Sequence, residues 1–596
     1  MSEFQTASLF ENKGVWKQLF VMFLLPQKKR FLLLIAVAVI VAGIEATFTI
    51  VTKLVIDEVV THGKDAYLLQ YAFIYFGLTV SISVSVFIFI LLAGRLSTEM
   101  MYHLRKQSFE HLQKLSFSFY DRHSVGWLLA RITSDCERIA RIIAWGTLDL
   151  FWAGPMLLGA LMVLLVLNWK LALTVMGIIP VLLVVSLYFK NLILESSRRV
   201  RRTNSLLTAT YNEGITGSQT SKILVREQEN FDEFKVSSEE MHGYSITNTL
   251  QASAYFPLVI VTASIGTGVA LWIGGEYVIG GLMTLGTLIA FITYTRDFSE
   301  PLLHIAEVLT NLQQAQACAE RILGLLNVAP EIKDSAELTE QMRRSKTEHV
   351  KNNLRIKEIE FKNTFFAYKQ DQPVLKDFNI KIPAGKTIAL VGPTGSGKST
   401  IANLICRFYE PTKGEILING IDYRKRSLKW LQSNLGIVLQ TPFLFSGTIE
   451  SNIQYGNLTA SKQEIVDAAK MVHVHDLIMA MENGYKTEVE EGGSNFSTGQ
   501  KQLLSFARAI LADPQIFVMD EATSAVDTHT EHLIQKGLSK VLENRTSFII
   551  AHRLSTIRSA DTILVIEEGE IKEQGKHEEL LQLKGKYHDL YQTQFI

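Results

Sequence analysis

Six stretches of this chain are long and apolar enough to cross a lipid bilayer as helices, and no other feature restricts the fold as tightly. They are roughly Phe31–Val55, Leu68–Leu92, Ile143–Leu167, Leu171–Phe189, Ala252–Ile273 and Leu282–Phe298, the last with some polar residues. A bilayer core takes about 20 residues of helix to span, and only a structure that satisfies its backbone hydrogen bonds internally survives there. All six lie in the first half of 596 residues, a length at which at least two domains are expected. Lys+Arg and Asp+Glu balance at 59 each, so the average conceals an apolar first half and a mixed second half. Without a basic surplus to neutralise phosphates, nucleic acid is not an expected partner. The three cysteines, Cys136, Cys318 and Cys406, are far apart and read as reduced and structural, with neither a disulfide framework nor zinc. The opening "MSEFQTASLFENKGVWKQLF" is polar, then amphipathic, and unlike a cleavable leader.

Basic residues set the expected orientation. Lys28, Lys29 and Arg30 precede the first stretch, and two long connections carry most of the rest, from Arg95 to Arg141 and from Lys190 to Arg226. By the positive-inside rule, both connections and both termini are cytoplasmic. Folded back as a helical pair, residues 95–142 give arms of about 24 residues that reach about 35 Å beyond the membrane. The turn "SFSFYDRHSVG" (Ser116–Gly126) mixes aromatic, charged and glycine residues, as a short docking helix would, and "YNEGITGSQTSK" (Tyr211–Lys222) is a second candidate. The alternative for both is a solvated loop tip.

Polar groups within or beside the spans are Glu45, Lys53, Asp149, Arg296, Asp297 and Glu300. Charge in hydrocarbon is costly, so each is a candidate to face a cavity or a partner. Glu45 is the candidate cavity residue, with interhelix pairing as the alternative. Phe151, Trp152, Tyr255, Phe256, Phe291 and Tyr294 either line a pathway for an apolar ligand or pack against lipid and neighbouring helices.

Beyond Asn327 the pattern turns charged and apolar-poor, which reads as a linker. The expected division is a transmembrane domain over 1–326, a linker over 327–353 and a soluble domain over 354–596. In the last, "GPTGSGKST" (Gly392–Thr400) follows the apolar run "TIALV" and precedes "STIANLICRFY", the strand–loop–helix context of a phosphate-binding loop. Its residues Gly392, Thr394, Gly395, Ser396, Gly397, Lys398, Ser399 and Thr400 are the expected ATP contacts. Glycines let backbone N–H groups close on phosphate, Lys398 supplies charge at the β and γ positions, and Ser399 offers a hydroxyl to Mg2+. A second apolar run, "QIFVMDE", ends in Asp520, suited to Mg2+, and Glu521, suited to a base that polarises water.

Together these segments resemble the ATP-binding cassette exporters, in the half-transporter arrangement of an α-helical membrane domain followed by an α/β nucleotide-binding domain. Other landmarks of that family occur in order: Tyr368 in "FFAYKQDQPVL", Gln440 in "GIVLQTPFLFSGTI", a signature in "EGGSNFSTGQKQ", "SAVD" (Ser524, Ala525, Val526, Asp527) and His552 in "SFIIAHRLST". The resemblance implies that Tyr368 stacks on adenine, that Gln440 senses Mg2+ and movement of the membrane domain, and that His552 holds the γ-phosphate. It implies that Glu521, His552 and Gln440 form the catalytic set, with Ser399, Gln440 and Asp520 around Mg2+. It also implies a bacterial cytoplasmic membrane location and a dimer in which the signature of one chain covers the ATP of the other.

The signature reads Phe496-Ser497-Thr498-Gly499-Gln500 where the family has LSGGQ. A β-branched residue in place of glycine obstructs close approach to phosphate and restricts the backbone. Intact Glu521 and His552 beside an altered signature fit a heterodimer, in which this chain's catalytic residues meet an intact signature on a second half-transporter subunit; a tolerated variation in a symmetric dimer is the alternative. The expected activity is ATP-driven efflux of small amphipathic compounds, with lipid or peptide export, a gated channel and a soluble mechanical ATPase as rivals. No peptidase domain precedes the first span, so cargo processing is not expected.

Overall fold

The computed structural model describes residues 13–21, 25–63, 66–344, 355–369, 371–520, 528–551 and 553–595. Glu521, Ser524, Ala525, Val526, Asp527 and His552 lie outside them. The chain divides into two compact units, Met1–Gln113 with Val125–Val328, and Lys114–Ser124 with Ala329–Ile596.

The first unit is helical, and its helices run far beyond the apolar stretches. Leu68–Leu112 has 45 residues and Glu227–Ile279 has 53, about 68 and 80 Å at 1.5 Å per residue, or more than twice a bilayer core. Among the described residues four helical segments are long and apolar enough to cross a membrane: Leu25–His62, Leu68–Leu112, Val125–Leu167 and Glu227–Ile279. The expected fourth span is interrupted, and the expected sixth ends at Phe298 with a further helix directly after it. Trp169–Met176 stops at Gly177 and the helix restarts as Ile178–Thr216, while Leu285–Asp297 stops at Phe298 and restarts as Ser299–Leu326. Pro180 and Pro301 explain both breaks, since each lacks the N–H that would bond the carbonyl four residues back, at Met176 and Asp297. Asn168 and Thr284 cap the two short helices, accepting from Leu171 N and Thr287 N at 3.2 Å each.

A five-residue π-helical segment, Arg131–Asp135, precedes the helix Cys136–Leu167. It carries Asp135 into the apolar cluster of Met100, Leu104, Cys136, Ile139, Cys318 and Ile322. There Arg321 grips the carboxylate with two bonds, of 2.9 and 2.7 Å, and Arg131 stands 3.8 Å away. The three cysteines are buried and free.

The second unit is built on two sheets. One is antiparallel, in the order β2-β1-β4-β5, with β1 Glu358–Lys369, β2 Gln372–Pro383, β4 Lys413–Ile418 and β5 Ile421–Asp422. The other runs β12-β11-β3-β10-β9-β6, with β3 Thr387–Val391, β6 Leu435–Val438, β9 Ile516–Asp520, β10 Thr546–Ile550, β11 Thr562–Glu567 and the antiparallel edge strand β12 Glu570–Gly575. A short pair, β7 Gly447–Thr448 and β8 Glu488–Val489, stands apart. β3 and β10 are buried throughout, as central strands of a parallel sheet covered on both faces should be. Within the segment read as linker, Ala336–Arg344 is a helix, and Asp334 accepts from Leu428 N at 2.7 Å.

Candidate functional site

Four neighbouring strands, β3, β10, β9 and β6, run parallel with Leu390 opposite Ile550, Ile550 opposite Asp520 and Val438 opposite Met519. Their carboxyl ends therefore share one edge, the usual place for a ligand on such a sheet. The phosphate loop leaves from β3, Gln440 follows β6, and Asp520 ends β9. Glu521 and His552 follow β9 and β10 in sequence and are outside the described residues.

The loop fits a polyphosphate on several counts. Gly392, Gly395 and Gly397 have φ of 149°, 83° and 105°, in the region where side chains are strained. A methyl on Gly392 would stand 2.1 Å from the Ile566 carbonyl oxygen, and one on Gly397 would stand 2.9 Å from Leu375 Cδ2. Ser396 Oγ is buried with no hydrogen-bond partner among the described residues. Lys398 opens the helix Lys398–Ile405, and its ammonium donates to the Gly392 and Pro393 carbonyls at 2.7 and 2.8 Å. Burial lowers its pKa, opposed by the charge of Asp520. Ser399 and Thr394 are exposed, Thr400 is buried, and Gln440 is exposed. Ser399, Asp520 and Gln440 offer hydroxyl, carboxylate and amide oxygens, the donor types that Mg2+ takes.

Tyr368, near the end of β1, is 43% exposed. Its hydroxyl lies 3.2 Å from Thr400 Oγ1, and its ring meets Phe366 and Tyr409 edge-on at 4.8 and 5.0 Å. An exposed aromatic ring is thus held beside the loop helix.

Ser497 caps the helix Thr498–Leu511. Its Oγ accepts from Gln500 N at 3.3 Å while Gln500 Oε1 accepts from Ser497 N at 2.9 Å, a reciprocal capping box. Phe496 and Gly499 are buried, and Ser497 and Thr498 are exposed. The backbone-restriction part of the Thr498 expectation needs correction. Thr498 occupies the first helical position and is not among the non-glycine residues with positive φ, so a β-branched residue sits there unstrained and only its side-chain bulk remains to act on a facing ligand.

Arg508, on the same helix, had no sequence signal. It is half-buried and donates to the Phe443 carbonyl at 3.0 Å and to Asn452 through its carbonyl at 2.9 Å and Oδ1 at 2.8 Å. That ties the signature helix to the segment after Gln440. The docking helix Phe117–Arg122 belongs to the second unit: Phe117 stacks on Phe408 at 4.1 Å, Tyr409 donates to Asp121, and Ser118 donates to Glu331 at 2.5 Å. For that tip the docking expectation holds. In the other candidate segment, Ser218–Ile223 is helical, and Ile215, Ile223, Leu224 and Val225 around it are exposed.

In the membrane unit a cavity of about 420 Å3 is lined by Glu45, Asp297, Glu300, Phe48, Tyr75 and Trp152, among others. Glu45 both lines it and accepts from Trp152 Nε1 at 2.7 Å, so the two readings of this residue meet in one place. Lys53 pairs with Asp57 at 2.8 Å, and Asp149 stands 3.8 Å from His304. Phe291 and Tyr294 are packed in a helix core, Phe151 packs against a second one, Tyr255 bonds Ser186 at 3.1 Å, and among the described residues Trp152 is the aromatic of the expected set on the cavity wall. The Phe256 side chain lies outside the described residues.

A membrane-spanning helical unit joined to a parallel-sheet unit with a phosphate loop defines a transporter half powered by a nucleotide. Residues 31–302 match the ABC transporter transmembrane region and residues 375–524 match the ABC transporter family. The chain is 37% identical over 541 residues to the uncharacterised ABC transporter ATP-binding protein YknV of Bacillus subtilis, covering 91% of this chain and 88% of that one. It is 32% identical over 587 residues, 98% and 100% of the two chains, to the "ATP-dependent lipid A-core flippase" of Desulfotalea psychrophila. It is 36% identical over 495 residues, 82% and 72%, to the "Probable multidrug resistance ABC transporter ATP-binding/permease protein YheH" of B. subtilis. Among solved structures, a bacterial Atm1-family ABC exporter with ATP bound superposes with a TM-score of 0.75 at 26% identity, covering 96% and 98%. The chain belongs to the ABC transporter family, as an exporter half-transporter. It is a multi-pass protein of the cell membrane and an ATPase coupled to transport, and exporters of this fold act as dimers.

Proposed function

We propose that the chain is one half of an exporter that expels amphipathic or hydrophobic compounds by alternating access, with ATP hydrolysed at the β3–β10–β9–β6 edge. The observation that carries the cargo class is the membrane cavity, which Glu45, Asp297 and Glu300 line together with Phe48, Tyr75 and Trp152. Such walls suit a molecule with an apolar body and a polar end.

In this reading Tyr368 stacks on adenine, while loop N–H groups, Ser396 and Lys398 hold the phosphates. Ser399, Asp520 and Gln440 would hold Mg2+, which when bound would supply charge neutralisation at the phosphoryl oxygens. Glu521 orients the attacking water and accepts its proton, and His552 holds the γ-phosphate. Phe496 to Gln500 of this chain cover the phosphate loop of the partner, with Ser524, Ala525, Val526 and Asp527 at the same interface.

The partner is a second, non-identical half-transporter with an intact signature and a weaker base. Support comes from the altered signature in a chain whose sequence keeps Glu521, and from Thr498 standing exposed on the first turn of its helix. Lipid flipping is the second reading, favoured by the end-to-end match with a protein named as a flippase.

Reconstitution of the chain with its genomic neighbour, followed by transport of Hoechst 33342 and of a fluorescent lipid, decides between cargo classes. Dye export without lipid movement supports the first reading, and the reverse pattern supports the second. Glu521→Gln is expected to lower ATPase activity of the pair by about 10²–10⁴-fold, and Thr498→Gly to leave transport competent. Full ATPase turnover by the purified chain alone overturns the asymmetry.

A further inference from the structure

Tyr409 lies between the docking helix and the proposed adenine platform. Its hydroxyl donates to Asp121 in Phe117–Arg122, and its ring and the Tyr368 ring stand edge-to-face with centroids 5.0 Å apart. Beside it Phe408 stacks on Phe117 at 4.1 Å. The backbone around Tyr409 is anchored as well: Tyr423, fully buried, donates to the Tyr409 carbonyl at 3.3 Å. Tyr368 is in turn tied to the loop helix, its hydroxyl 3.2 Å from Thr400 Oγ1 and 3.4 Å from Asn403 Nδ2. Burial and the neighbouring Asp121 carboxylate push the Tyr409 hydroxyl well above the usual tyrosine range, so it stays a proton donor at any physiological pH.

We propose that Tyr409 is a positioning residue that reports adenine on Tyr368 to the docking helix, through its ring on one side and its bond to Asp121 on the other. The proposal rests on the reading that Tyr368 stacks on adenine. A base settling on the exposed face of Tyr368 restricts that ring. An edge-to-face partner 5.0 Å away has little freedom to move independently of it. Tyr409 is thereby held, and its hydroxyl holds Asp121 and the helix that carries it. Occupancy by phosphates alone engages Lys398 and Ser396 and leaves this route unused.

The test is hydrogen exchange on the full-length transporter in nanodiscs, with either a non-hydrolysable ATP analogue or inorganic tripolyphosphate. In the wild type the analogue is expected to slow exchange in both 392–400 and 116–124, the latter about fivefold, the size one side-chain hydrogen bond contributes. Tripolyphosphate is expected to slow 392–400 alone. In Tyr409→Phe and Asp121→Ala the analogue should still slow 392–400 but no longer 116–124, whereas Asp121→Asn, which keeps an acceptor, should behave as wild type. Analogue-dependent slowing of 116–124 that survives in both variants overturns the relay while leaving the adenine role of Tyr368 standing. Equal slowing of 116–124 by tripolyphosphate overturns it by removing that adenine role. Loss of slowing at 392–400 in the variants overturns it in favour of a plain contribution of Tyr409 to nucleotide binding.

Discussion

At Gly392 and Gly395 the same backbone region has different consequences. Both have positive φ, but a methyl on Gly392 meets the Ile566 carbonyl at 2.1 Å, while one on Gly395 meets nothing within 4 Å. Gly395→Ala should therefore cost only the backbone term, about 1–2 kcal/mol, whereas Gly392→Ala must also move β11. Thermal unfolding of the two variants checks the order, with Gly392→Ala the less stable. Tyr368→Ala removes the stacking face and is expected to raise KM for ATP about tenfold at little change in kcat. Tyr368→Trp should retain it, and equal KM values for both variants would remove Tyr368 from the adenine site. The loop residues were legible in sequence because nine consecutive residues and a preceding strand carry them. Thr498 was legible as a departure but not as a conformation, since only the capping box shows that its position is helical.

Between elements, the Asp135–Arg321 pair fastens the π-helical segment to the helix Ser299–Leu326, which leads out of the membrane unit. Burial pushes the Asp135 carboxyl up, but the bonds from Arg321, with the charge of Arg131, outweigh it and hold the carboxyl below the usual range. Arg321→Ala leaves that carboxylate without its main partner and should cost about 3 kcal/mol, read as a lower melting temperature of the purified transporter. As pH falls, the unfolded chain takes up the Asp135 proton first, near pH 4, so the pair stabilises fully above that pH and its contribution fades below it. Melting curves at pH 7 and pH 3.5 should show a smaller Arg321→Ala penalty in acid. No periodicity or motif marks this pair, because its partners are 186 residues apart.

For the whole molecule, the unequal dimer predicts that the chain co-purifies with a non-identical half-transporter and that the pair holds one ATP unhydrolysed during turnover. Nucleotide analysis finding no retained ATP, with two identical chains, would return the protein to a symmetric dimer. By itself the sequence determined the membrane half, the nucleotide half and the phosphate loop, because hydropathy and contiguous motifs act over neighbouring residues and survive without knowledge of the fold. Only the tertiary structure decided where the fourth span breaks, which unit the tip Lys114–Ser124 joins, and that Asp121 meets Tyr409 across 288 residues. Those outcomes depend on side chains brought together by chain reversal, and contact energies between distant residues leave no periodic trace in the order of amino acids.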